Sequence, residues 1–465
     1  MPHVVTQSCC NDASCVHACP VNCIHPTPDE PDFGTAEMLY IDPAACVDCG
    51  ACVTACPVEA IKPAGKLDEA QLPFLEINAD FYKGGRTRRT ILAPHEKPLQ
   101  VAEREPLRVA VVGSGPSAMY AADELLTIPG ARVDVYERLA SPYGLVRTGV
   151  APDHARTRQV TEVFDRISRE DGFHLHLGVE IGKDVTHADL LRDHHAVVYA
   201  TGASSDRRLD VPGASGIATA TEFVAWYNGH PDHAHHEFDL AHPRAVVIGN
   251  GNVALDVARI LTASPESLAS TPISRPALEA LRASAIEEVV VVGRRGPAHS
   301  AFTLAELVGL TSVADVVVPS ADLTGLDDAS LKHRTIAALP SEPTAGRRVT
   351  LRYFLSPAEI TDTGVTFTRA SGEAEHLKAG LVLSSIGYRA RPLPDLPFDD
   401  DRAVVPNDKG RVMDAGEPVP GTYVTGWIKR GPTGFIGTNK SCARETVRQL
   451  VADYNAGRLA PALTA

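Results

Sequence analysis

Nine of the ten cysteines lie between Cys9 and Cys56, and only Cys442 stands outside that stretch. Thiols packed this densely in a short segment are there to hold metal, not to staple a secreted scaffold. The later half reads Cys46-Val-Asp-Cys49-Gly-Ala-Cys52-Val-Thr-Ala-Cys56-Pro57, the run C-x2-C-x2-C-x3-C-P. In that run three thiolates grip one iron–sulfur cluster and the fourth reaches across to a second. A structural zinc site would use paired C-x2-C knuckles on a longer loop, and a thioredoxin-like site would need only two cysteines.

The first half repeats the pattern with one change: Cys9-Cys10-Asn11-Asp12-Ala13-Ser14-Cys15-Val16-His17-Ala18-Cys19-Pro20. Counting back from Cys19 puts the ligand positions at Cys15, Asp12 and Cys9. Carboxylate is a harder and weaker ligand for iron than thiolate, so the iron at that corner is expected to be labile or absent. By the cross-over rule Cys46, Cys49, Cys52 and Cys19 hold a [4Fe-4S] cluster. Cys9, Cys15 and Cys56 hold either a [3Fe-4S] cluster or an Asp12-capped [4Fe-4S] cluster. The segment resembles the bacterial seven-iron ferredoxins, including Cys23 after the first Cys-Pro and Met38-Leu-Tyr-Ile-Asp before Cys46. It departs from them in a shorter spacing ahead of Cys15, which leaves Cys10 a rival to Cys9. Cys23 and Cys442 read as small buried thiols.

A chain of 465 residues is too long for one core, and two to four domains are expected. With 58 acidic against 44 basic side chains, the net charge of −14 excludes a nucleic-acid surface spread over the whole protein. Met1 to Cys10 has no charged-then-apolar leader, and no apolar run approaches the roughly 20 residues that span a bilayer. A cytoplasmic protein without membrane or nucleic-acid partners is therefore expected. The two-cluster domain, α+β and ferredoxin-like, is assigned to 1–80, with Leu72 to Tyr82 wrapping back over it. The stretch 81–106, containing Gly84-Gly85, Arg86, Arg88, Arg89 and prolines at 94, 98 and 106, reads as a linker.

From Leu107 onward, strand-like apolar runs alternate with Ala/Leu-rich helical patterns, the signature of a parallel α/β architecture. Arg108-Val-Ala-Val-Val leads into Gly113-Ser-Gly115-Pro-Ser117-Ala118, a G-x-G-x-x-A turn whose backbone can approach a pyrophosphate at a helix start. Val133-Asp-Val-Tyr-Glu137 then ends in an acid suited to a ribose hydroxyl. A second unit follows in Ala245-Val-Val-Ile-Gly249-Asn250-Gly251-Asn252-Val253. Its next strand, Glu288 to Val292, ends in Gly293-Arg294-Arg295-Gly296. Two guanidinium groups where an NAD site has an acid point to the 2′-phosphate of NADP. The long spacing from Gly249 to Arg294 is explained by an insertion through Pro265 to Pro276.

Two further runs carry a resemblance. Tyr143-Gly-Leu-Val-Arg147-Thr-Gly-Val-Ala-Pro-Asp153-His154 and Gly421-Thr-Tyr-Val-Thr-Gly426-Trp427 through Gly434-Phe435-Ile436 to Asn439 resemble adrenodoxin reductase and the bacterial ferredoxin–NADP reductases of that type. The resemblance implies two Rossmann-like (GR2-type) dinucleotide-binding domains. FAD would occupy 107–209 and 379–465, the second part starting with Leu381-Val-Leu-Ser-Ser-Ile-Gly387, around an NADP domain at 210–378. It places Leu145, Arg147, Val185, Trp427, Gly434, Phe435 and Ile436 on FAD, with Asp153 and His154 near it. It places Arg207, Asn250, Gly251, Asn252, Val253, Glu306 and Gly434 on NADP, Glu306 on the nicotinamide side. Many relatives carry a second acid three residues after that glutamate; here Gly309 stands there. Lys429 and Arg430 are read as solvated charges outside the site. The implied activity is hydride transfer from NADPH to FAD, then single electrons to the clusters and onward to a separate ferredoxin or cytochrome. The alternatives are an electron-input subunit of a larger NADPH-dependent enzyme and a non-catalytic electron store.

Overall fold

Apolar runs rich in β-branched residues make strands that tolerate burial on both faces. Arg108–Val112 is such a strand, flanked in parallel by Ala196–Tyr199 and Arg132–Glu137 at the centre of a seven-stranded sheet in the computed structural model. Phe173–Leu177 extends this sheet on one side. On the other, Glu417–Val424 pairs in parallel with Ala196–Tyr199, and Arg411–Asp414 and Asn407–Asp408 follow antiparallel. The structure describes residues 2–83, 98–102, 105–343 and 346–462. Most of the expected linker, including Gly84 to Arg89, lies outside the described residues.

The second sheet has six strands in the order Ala218–Thr219, Leu381–Ser384, Arg244–Ile248, Glu288–Val292, Arg348–Arg352 and Asp315–Val317, with every neighbouring pair parallel. The expected return to the first unit at 379 is therefore too early. Leu381–Ser384 is buried along its whole length and pairs Val246 with Val382, so it belongs to the second sheet. The chain crosses back at Tyr388–Arg389, which runs antiparallel to the outgoing Ser205–Asp206. An antiparallel meander, Ser356–Thr361, Gly364–Thr368 and Ala374–Lys378, sits beside the second sheet. Among the described residues no helix is long and apolar enough to cross a membrane.

The cysteine-rich segment is built twice. Ser14–Ala18 and Ala51–Ala55 are five-residue helices that end at Cys19 and Cys56 with nearly identical backbone angles. Left-handed backbone recurs in pairs 37 residues apart: Asn11 with Asp48, Ala13 with Gly50, and Asn22 with Glu59. The same offset carries Cys9 onto Cys46, Asp12 onto Cys49 and Cys15 onto Cys52, whereas Cys10 falls on Val47. The helix Pro73–Phe81 does wrap back: Asn78 bonds Val5 and Ile41 through its side chain, and Tyr82 donates to the carbonyls of Cys23 and Tyr40.

This small domain is docked, not merely tethered. Its core residues Val16, Ile24, Phe74 and Val58 belong to one apolar cluster with Met119, Tyr120, Val447 and Leu304 of the α/β units.

Candidate functional site

Cys19, Cys46, Cys49 and Cys52 line one cavity, together with Cys23. Cys23 is thus more than a thiol in an apolar core, since its Sγ lies 3.4 Å from that of Cys19. Among the described residues no three cysteine sulfurs lie within 4.8 Å of one another. A tetrahedral zinc with arms of about 2.3 Å would hold its sulfurs about 3.8 Å apart, closer than any three cysteine sulfurs stand among the described residues. Burial pushes the Cys52 thiol up to about 12, while the sulfur–sulfur hydrogen bond with Cys23 lowers that of Cys19. Cys49 and Val47 are exposed at the rim, Val47 by 59%.

Cys9, Cys15 and Cys56, the second expected set, lie close enough for their charges to act on one another, with Cys15 buried and Cys9 and Cys56 half-buried. Burial pushes Cys9 up to about 12 and Cys15 well above the ordinary thiol range, so iron would supply the charge that burial denies these sulfurs. Asp12 stands at the corner matching Cys49 and hydrogen-bonds Ser14. The backbone N–H of Gly437 donates to Cys10 O at 2.6 Å.

Both glycine turns form as expected and by the same device. Gly113 and Gly249 have φ of 99° and 120°, and a methyl on them would stand 2.7 Å from Ala200 O and 2.0 Å from Ser385 O respectively. Only glycine lets each strand end press against its neighbour's exit. A methyl on Gly115 or Gly251 would meet nothing within 4 Å, so the second glycine of each turn faces open space. Glu137, 8% exposed, accepts from the Ser114 N–H at 3.2 Å and from its hydroxyl at 2.6 Å, which fixes its carboxylate at the first turn. Arg294 and Arg295 are exposed beside the second turn, where Gly293 packs on Asn250, and neither side chain has an ion pair among the described residues.

Ser117 Oγ donates to Asn439 Oδ1 at 2.7 Å, tying the first dinucleotide helix to the segment after Gly434. Trp427 Nε1 donates to Thr433 O at 3.0 Å, and the Phe435 N–H bonds Thr438 Oγ1 at 2.9 Å. Leu145 and Arg147 are exposed on a short helix, Arg147 lying over the Tyr143 ring, and Val185 is half-buried at a bridge to Ile181. Arg207 is exposed at the crossover, its N–H bonded to Gly387 O. Lys429 and Arg430 are not solvated charges. Lys429 is 8% exposed and paired with Glu445 at 2.6 Å. Arg430 reaches Asn439 while its Nη1 is buried with no partner, an orphaned donor that a polar ligand edge would satisfy.

Between the two units lies an ionic network that local sequence patterns did not reveal. Asp153 accepts two bonds from the buried Arg259, at 2.6 and 3.2 Å. His154 Nε2 lies 3.1 Å from Asp256 Oδ1 and 3.6 Å from Glu306 Oε2. Burial and Arg259 push the His154 pKa down, but Asp256 and Glu306 outweigh them and leave it raised. Burial pushes the Glu306 carboxyl up. The signal for Asp256 and Arg259 was their i,i+3 spacing on the otherwise apolar helix Asn252–Thr262, which puts both charges on one inward face.

The pyridine nucleotide-disulphide oxidoreductase family model matches residues 107–296, and the 4Fe-4S binding domain model matches 39–62. A probable ferredoxin/ferredoxin–NADP reductase from Mycobacterium tuberculosis is 58% identical over 99% of this chain and 85% of the relative. The chain belongs to the ferredoxin/ferredoxin–NADP reductase family. Human mitochondrial NADPH:adrenodoxin oxidoreductase is 41% identical over 76% of this reductase chain and 80% of its own length. The solved structure of Mycobacterium tuberculosis FprA in complex with NADPH matches with a TM-score of 0.72 at 41% identity, covering 77% of this chain and 87% of that one. The reductase fold is thus the one implied by the glycine turns, with a ferredoxin domain added in front.

Proposed function

We propose that this chain is an NADPH-driven reductase that delivers single electrons through its own ferredoxin domain to a separate ferredoxin or cytochrome. Bound FAD would accept a hydride from NADPH and release the two electrons one at a time, as clusters that each take one electron require. The observation that carries the reading is the Gly437–Cys10 hydrogen bond, which joins the end of the Gly434–Ile436 turn to the first cysteine loop.

The chain's own residues divide the task. Gly113, Gly115, Ser117, Ala118 and Glu137 bind the adenosine half of FAD, and Leu145, Arg147, Val185, Trp427, Gly434, Phe435 and Ile436 hold its flavin half. Asn250, Gly251, Asn252 and Val253 bind the NADP pyrophosphate, Arg207, Arg294 and Arg295 its 2′-phosphate end, and Glu306 with Gly434 the nicotinamide side. Cys19, Cys46, Cys49 and Cys52 ligate a [4Fe-4S] cluster. Cys9, Cys15 and Cys56 ligate a [3Fe-4S] cluster or an Asp12-capped [4Fe-4S] cluster, and the 37-residue register favours Cys9 over Cys10. Electrons leave where Cys49 and Val47 reach the surface. All ten cysteines are unpaired, which suits a reducing compartment such as the cytoplasm.

Anaerobic NADPH-driven reduction of cytochrome c by the purified chain tests this. Turnover is expected without any added subunit; an electron-input subunit would be inactive alone.

A further inference from the structure

The helix Leu304–Thr311 carries Glu306, and the ferredoxin domain touches it at two points. Glu37 Oε2 accepts the Leu304 N–H at 2.7 Å, and Gln7 Nε2 donates to Glu306 Oε2 at 3.0 Å. The Gln7 amide rests directly on Gly309, one turn further along. A methyl on Gly309 would stand 2.1 Å from Gln7 Nε2 and 2.5 Å from both Cδ and Oε1. A side chain from the ferredoxin domain therefore fills the space that any side chain at position 309 would need.

We propose that Gln7 is a positioning residue of the nicotinamide site, acting through Glu306, and that Gly309 is the socket that admits it. The inference rests on the reductase reading above. Glu306 faces His154 at 3.6 Å and Arg259 at 3.7 Å, and Asp256 lies behind both. Gln7 supplies an amide donor to this carboxylate and fixes its orientation from the ferredoxin side. Hydride delivery thereby depends on a docked ferredoxin domain. Its N–H favours the ionised carboxylate, against the burial that raises the Glu306 pKa.

Two variants remove the contact differently. Gln7→Ala deletes the donor, whereas Gly309→Ala evicts it, and an alanine in mid-helix costs the helix nothing. Flavin bleaching by NADPH is followed anaerobically against pH in both, in the double variant and in wild type. Each single variant should slow bleaching at saturating NADPH by roughly three- to tenfold, the net worth of one typical intramolecular hydrogen bond acting indirectly. KM should hardly move. The acid limb of the profile should shift to higher pH, because Glu306 protonates more readily without the donor. The double variant should match the singles, since both remove the same contact.

In protein without NADPH, deuterium uptake along Leu304–Thr311 should also rise in Gln7→Ala. A Gln7→Ala profile, rate and uptake equal to wild type overturn the inference alone, as does additivity in the double variant. A wild-type flavin that NADPH does not bleach overturns the reductase reading, and this inference with it.

Discussion

The N–H of Gly437 and the carbonyl of Cys10 are bonded at 2.6 Å, which ties the end of the Gly434–Ile436 turn to the first cysteine loop. A methyl on Gly437 would stand 2.1 Å from the Asp12 backbone nitrogen. Backbone cannot swing aside as a side-chain end can. Gly437→Ala is therefore expected to lower the unfolding free energy by about 1–3 kcal/mol in urea titration. The ratio of cytochrome c to ferricyanide reduction should drop as well, because ferricyanide can take electrons without the ferredoxin domain. A normal ratio would show that this contact does not connect the two redox sites.

Replacing Arg294 and Arg295 together by alanine should weaken NADPH far more than NADH. Each charge-assisted bond to a 2′-phosphate is worth about 1.5–3 kcal/mol, or roughly tenfold or more in affinity. Both guanidiniums are exposed and carry no ion pair among the described residues, so little folding energy is at stake. Steady-state KM values for the two nucleotides decide the matter; equal losses contradict the phosphate assignment.

Asp12→Cys completes a four-thiolate set with Cys9, Cys15 and Cys56. If the wild-type cluster is [3Fe-4S], iron should rise by about one atom per chain and its oxidised EPR signal should vanish; if it is an Asp12-capped [4Fe-4S] cluster, iron should stay constant and the EPR signal of the reduced cluster should change. A [3Fe-4S] signal that persists with unchanged iron, or a reduced-cluster signal identical to wild type, would place Asp12 away from the cluster.

Asp134, 3% exposed, accepts bonds from Arg132, His176 and His194. Burial alone would raise its carboxyl, but His194, Arg132 and His176 together hold it well below the usual range. A depressed folded pKa contributes stability that is fully present above the unfolded value of about 3.9 and lost as pH falls below it. Asp134→Asn should therefore cost about 1–3 kcal/mol at pH 7. That difference should shrink as urea titrations move below about pH 4; a constant difference would contradict it.

The features legible in the sequence were those whose signal is local. Cys46 to Cys56, Gly113 to Ala118 and Gly249 to Val253 each fix a backbone shape within a dozen residues, and each lies where its pattern required. The crossover was read too early because an apolar run such as Leu381–Ser384 says that it is buried, not in which sheet. Lys429 looked solvated because its partner, Glu445, sits on another helix 16 residues along the sequence, although the two side chains meet at 2.6 Å. Gln7 carried no signal at all. Its role follows from a contact with Glu306 across 299 residues, which exists only once the ferredoxin domain is docked.

The central claim is that electrons from NADPH reach the chain's own clusters through that docked interface. It is tested most directly by mixing the intact protein anaerobically with NADPH and freeze-quenching for EPR at several protein concentrations. Reduced-cluster signals should follow flavin bleaching at a rate independent of protein concentration. Clusters that stay oxidised after the flavin is bleached, or a rate that rises in proportion to protein concentration, would contradict the account.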